Sequence, residues 1–158
     1  MNLRLAAVIA LGMFAIALVL PAFGDTEETI DGYETFVTSF TTAFTFLTPD
    51  SLNLFATGTP YFDRYIAMLA FGGASANVTL LLAIICSFRQ LAGWTLLAAT
   101  IASLNAAAIL ILMAFQDGPV NARLGCILWF GSTLWMATVP AYVWLRDAHQ
   151  PAGPATPG

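Results

Sequence analysis

Residues 65–115 read YIAMLAFGGASANVTLLLAIICSF, then RQ, then LAGWTLLAATIASLNAAAILILMAF. The two apolar stretches, Tyr65 to Phe88 and Leu91 to Phe115, contain no Asp, Glu, Lys, Arg or His and are separated only by Arg89 and Gln90. At about 1.5 Å of rise per residue, each is long enough to cross the ~30 Å hydrocarbon core of a bilayer. The two-residue break makes them a tight helical hairpin that turns on one side of the membrane. A third uncharged stretch, Leu124 to Leu145, follows a turn signal at Asp117-Gly118-Pro119.

The whole composition agrees. Of 158 residues, 59% are apolar and only 9% are charged, with a mean hydropathy of +0.80. A soluble domain carries about 25% charged residues, and a chain this poor in charge cannot clothe a water-facing surface. The expected class is therefore an all-α integral membrane protein with the lipid bilayer as its solvent. The five basic residues are all Arg and scattered, and the sequence pI is near 4.5, which sets nucleic-acid binding aside.

Leu3 to Leu20 is also uncharged apart from Arg4, and ends at Pro21-Ala22-Phe23-Gly24. Residues 1–24 admit two readings. One is a cleaved signal peptide, with a basic start, an apolar stretch and small residues framing a cut before Asp25. The other is a first transmembrane helix, which the length of the apolar stretch favours. The expectation is a four-transmembrane-helix bundle, or three if residues 1–24 are removed, with a long structured extracytoplasmic loop over residues 25–64. A disordered cytoplasmic tail is expected over 146–158.

Counting Arg beside the span ends orients the chain with both termini cytoplasmic: Arg4, Arg89 and Arg146 inside, Arg64 and Arg123 outside. Seven of the nine acids fall between positions 25 and 63, so this topology leaves the outside net negative and the inside net positive. Trp94, Tyr142 and Trp144 then anchor the inner boundary, and Tyr61, Tyr65 and Phe115 the outer. Abundant Ala and absent Lys suggest a bacterial inner membrane.

The segment 25–64 is too rich in Phe and Thr for a disordered linker. Between Phe36 and Leu47, a step of 100° per residue gathers Phe36, Val37, Phe40, Ala43, Phe44 and Leu47 on one arc, opposite Thr38, Thr41, Thr42 and Thr45. A strand reading mixes Thr with Phe on the same face, although Thr and Phe favour strand by propensity. An amphipathic helix is the expectation. It would lie in the interface, pack over the mouth of the bundle, or present Phe36, Phe40 and Phe44 to a partner subunit.

Function must show in the hydrogen-bonding side chains set in hydrocarbon. The candidates are Ser75, Asn77 and Thr79 in the second apolar stretch, and Thr100, Ser103 and Asn105 in the third. Asn77 lies before the Arg89 turn and Asn105 after it at similar depth, placed to meet or to share a water. Such contacts contribute about 0.6 kcal/mol on average and either fix packing or hold a ligand. Gly72 with Ala76, Ala70 with Ala74, and the face formed by Ala98, Ala99, Ala102, Ser103 and Ala106 permit close helix approach.

Catalytic classes find few residues. The sole His, His149, is in the tail, so neither a haem ligated by two His nor a His-based triad can be built between the helices. Cys86 and Cys126 fall near opposite membrane faces, which excludes a thiol relay between them. No cofactor or metal is expected. Trp129, Phe130 and Trp135 read as bulk facing lipid or the bundle.

The order of elements resembles claudin-like tetraspans: one span, a long outer loop, an inner hairpin, a short outer turn and a last span. The Trp and paired-Cys signature of that family's first outer loop is missing from Asp25 to Arg64, and no family is assigned on this likeness. Two functions are expected in order. The first is a non-catalytic accessory or scaffold subunit for a membrane-protein partner or a homo-oligomer. The second is binding or transport of a lipid, quinone or other small molecule through a polar pocket between the second and third apolar helices, lined by Ser75, Asn77, Ser103 and Asn105.

Overall fold

The computed structural model describes residues 2–24, 29–46, 61–117 and 122–148. The turns expected at Thr48–Ser51, Gly58–Pro60 and Gly118–Pro119, and the tail from Gln150, lie outside the described residues. In chain order the elements are α1 (Leu3–Val19), β1 (Pro21–Gly24), β2 (Thr29–Asp31), α2 (Gly32–Phe46), α3 (Tyr61–Phe88), α4 (Ala92–Asp117) and α5 (Leu124–Ala148).

Three of these helices are long and apolar enough to cross a membrane: α3 over Ile66–Phe88, α4 over Ala92–Ala114 and α5 over Leu124–Val143. The 17 residues of α1 span only about 26 Å. The buried and exposed residues are sorted in the manner of a membrane protein. Inside are small side chains, with Ala6, Ala7, Ala10, Ala76, Ala83, Ala99, Ala102 and Ala106 all at 0% exposure. Outside are large aliphatic ones, including Val19 at 74% and Leu104 at 66%. Such a surface is untenable in water and ordinary against lipid, where small residues instead let helices approach closely.

Helix α1 packs against α3 and α5, and α4 packs against the same two, so the four close a ring. Ala10, Phe14, Leu80, Ala99 and Met136 meet at its centre. The turn from α3 to α4 is as short as the sequence implies. Leu91 N–H donates to Cys86 O at 2.9 Å and Gln90 N–H to Ser87 O at 3.1 Å. That is the paired bonding of a Schellman cap, and it puts Gln90 at φ 61°. The Gln90 amide also reaches Asn2 Oδ1 at 3.4 Å, tying the turn to the start of α1.

At the other end, Pro21 has no N–H to continue α1, and Leu20 is already extended at φ −102°, ψ 151°. The chain runs into β1, which pairs antiparallel with β2 (Phe23 with Ile30, Gly24 with Thr29). Ala122 adds a bridge to Phe23, while Arg123 donates from its backbone N–H to Ala22 O at 2.9 Å and from Nε to Gly24 O at 3.1 Å. This small ribbon departs from the all-α expectation. It forms because a helix-ending Pro is followed by a Gly free to take φ 121°.

Two glycines seat neighbouring elements on the last turn of α1. A Cβ at Gly32 would overlap the Ala17 carbonyl oxygen, and one at Gly125 would lie 2.6 Å from Leu20 O. Gly32 N–H donates to Leu20 O at 3.0 Å. Helix α2 therefore starts against α1 and packs mainly on α3, with Ser39 opposite Gly73, where an added Cβ would lie 3.1 Å from Ser39 Cβ. Gly73 is inside the Ile66–Phe88 stretch, so α2 reaches about 10 Å along α3 beyond its Ile66 end.

Candidate functional site

Between α1, the ribbon, α2, α3 and the start of α5, with Ile109 and Met113 of α4 at its edge, lies a partly open cavity of about 350 Å³. Phe14, Leu18, Phe36, Leu69, Met113 and Trp129 give most of its wall, so it is overwhelmingly apolar. Its size lies at the lower end of the range in which proteins hold small molecules.

Asn77 is set in this wall, midway along α3 and only 5% exposed. Its Oδ1 accepts from the Trp129 indole Nε1 at 2.8 Å, which links α3 to α5. A buried amide and a buried indole both need partners, and each supplies the other's. The bond also fixes the amide, since an indole nitrogen can only donate and the amide oxygen must face it.

The other sequence candidates lie elsewhere. Ser75 is half-buried and its hydroxyl donates to Gly72 O in its own helix at 3.0 Å. Ser103 does the same to Ala99 O at 2.9 Å. Asn105 is half-buried, does not line the cavity, and its side chain makes no hydrogen bond among the described residues. The structure thus brings together Asn77 and Trp129, not Asn77 and Asn105. The cavity lies mainly on the α1, α2 and α5 side of α3, and α4 reaches it only through Ile109 and Met113. The pair α3 and α4 is closed by small residues and by Gly72, where a Cβ would lie 3.0 Å from the Ile109 side chain.

The three candidate Phe of α2, Phe36, Phe40 and Phe44, divide. Phe36 faces inward, edge-on to Phe14 with ring centroids 6.1 Å apart, and touches Phe40 at 4.9 Å. Phe44 is 68% exposed. The inward face is centred on Phe36, Ser39 and Ala43 rather than on the full Phe arc. The hydroxyls explain this: Ser39 donates to Phe36 O at 2.8 Å and Thr35 to Asp31 O at 3.1 Å, so both satisfy themselves locally and can face an apolar cavity. Trp129 was not singled out as a site residue by sequence reasoning, although an indole N–H in an otherwise apolar helix signals that an acceptor must be near.

The chain matches no protein-family model, no curated protein and no solved structure.

Proposed function

We propose that this chain is a multi-pass membrane protein that holds a small apolar ligand in the cavity between α1, α2, α3 and α5. One observation carries the reading: an apolar cavity of about 350 Å³ with a buried, oriented amide in its wall. In this reading α1 is a retained fourth span. Ala6, Ala7 and Ala10 are fully buried against the other helices, and Trp135 Nε1 donates to Ala6 O at 3.2 Å. Removing α1 would open both the core and one wall of the cavity. Both termini are cytoplasmic in this topology, and the exposed Trp94 and Tyr142, at the Arg89 and Arg146 end, fit an inner aromatic belt.

The test is extraction in mild detergent followed by native mass spectrometry and organic extraction of the bound fraction. The expected result is a chain whose intact mass includes residues 1–24, carrying a small hydrophobic adduct in about equimolar amount. Ala70→Leu, which fills the cavity from α3, should lose the adduct while keeping the helical content. An unliganded protein from every detergent, still unable to take up added hydrocarbon, would refute the reading.

A second reading, an accessory subunit docking a membrane partner, is favoured by the exposure of Phe44 on α2. Phe36 and the small-residue faces of α3 and α4 lend it little, because they are spent inside the bundle. Recovery of one stoichiometric partner that is lost on Phe44→Ser would support it.

A further inference from the structure

The Asn77 amide has two ends, and only one is used within the fold. Oδ1 is committed to Trp129 at 2.8 Å. Among the described residues nothing accepts from the Nδ2 hydrogens. Among the described residues no fully buried side-chain nitrogen or oxygen lacks a partner, so Nδ2 keeps access to free space, and for a residue 5% exposed in the cavity wall that space is the cavity. Because Trp129 can only donate, the amide cannot turn round to offer its oxygen instead. The site therefore presents a fixed donor to whatever enters.

The rest of the wall narrows the chemistry. Thr35 and Ser39 spend their hydroxyl protons on carbonyls near their own positions in the chain, leaving Thr38 and Thr42 on α2 as the other polar groups. No Asp, Glu, Lys, Arg or His of the described residues lines the cavity, so a charged headgroup would lose its hydration without gaining a counter-charge. At ~30 Å³ per water-sized group, the volume takes about a dozen such groups. That is one short acyl chain or one substituted ring, not a two-chain phospholipid.

We infer that the ligand is a neutral carbonyl compound with an apolar body, and that Asn77 Nδ2 donates to its carbonyl oxygen. This rests on the ligand-binding reading above and names the group recognised. An acyl ester and a quinone both carry the required oxygen.

Four probes in two matched pairs test it on the unmodified protein in maltoside micelles: methyl nonanoate against decane, and butyl-benzoquinone against butylbenzene. Each competes with tritiated dodecane in a scintillation proximity assay, and taking the ratio within a pair cancels competition from the detergent. One hydrogen bond should favour the carbonyl member by about 2- to 12-fold, and the pair with the larger ratio identifies the source as ester or quinone. Asn77→Leu should level both pairs. That variant orphans the Trp129 N–H, so Asn77→Leu with Trp129→Phe, which removes both partners, is measured beside it. Equal affinities within both pairs on the unmodified protein, or a ratio that survives both variants, overturn the inference while leaving the cavity reading intact. If tritiated dodecane itself does not bind, the cavity reading falls and this inference falls with it.

Discussion

Replacing Gly32 by Ala adds one methyl group at the point where α2 begins against α1. Gly32 does not have a positive φ, so the substitution probes space and not backbone strain. The new Cβ would overlap the Ala17 carbonyl oxygen and lie 2.8 Å from the Ala17 carbonyl carbon and 3.0 Å from Leu18 Cα. All three atoms are backbone, and no side chain can rotate out of the way. Overpacking in cores that can adjust costs about 1–3 kcal/mol, and a backbone obstacle puts this case at the upper end. For a chain of this size each kcal/mol moves Tm by about 2–4 °C, so Gly32→Ala should unfold about 6–12 °C below the parent. The assay is loss of helical ellipticity on heating in micelles.

Gly12→Ala is the control, because a Cβ there meets nothing within 4 Å. At an exposed helical position the same methyl should stabilise by up to about 1 kcal/mol through helix propensity. The two variants thus make one chemical change with opposite expected signs. A Gly32→Ala protein that melts with the parent would refute the close seating of α2 on the last turn of α1, and with it the wall that α2 gives the cavity.

Two further outcomes test the bonds that close the fold. Trp129→Phe should lower stability by about 1 kcal/mol in reversible unfolding by denaturing detergent, since it leaves the buried Asn77 Oδ1 without its donor; no change would mean that the amide is not held by that indole. Gln90→Gly should raise stability by up to about 1 kcal/mol in the same assay, because Gly adopts the φ of 61° without a Cβ penalty and the two side-chain bonds lost are long, at 3.3 and 3.4 Å. A fall instead would show that Gln90 holds the turn to Asn2.

The spans were legible because their signal is one-dimensional. A stretch such as Leu91 to Phe115 excludes charge over the thickness of a bilayer, and no tertiary contact is needed to see it. The amphipathic helix in segment 25–64 was legible for a similar reason, since its Phe and Thr recur at helical spacing and it forms over Gly32–Phe46. Its depth was not. Where α2 lies is decided by Gly32 against Ala17 and Gly73 against Ser39, contacts between residues far apart in the chain that leave no periodic trace.

The candidate site shows the same division. Asn77 is conspicuous as an amide in hydrocarbon, yet matching depth across one hairpin points to Asn105 as its partner, whereas the structure pairs it with Trp129. Depth ranks every residue on every helix alike, whereas partner choice depends on which faces meet. In this ring Asn77 lies on the face of α3 that meets Trp129 of α5 and the cavity. Donor and acceptor inventory would have served better than depth. Each Trp in an apolar helix brings one N–H that hydrocarbon cannot satisfy, and Trp135 takes the Ala6 carbonyl while Trp129 takes Asn77. Once these two indoles are assigned, what is left over in the cavity wall is the Asn77 NH₂, since Asn105 does not line it. In a medium that offers no hydrogen bonds of its own, a donor left over in a cavity wall is the feature on which the proposed carbonyl ligand depends.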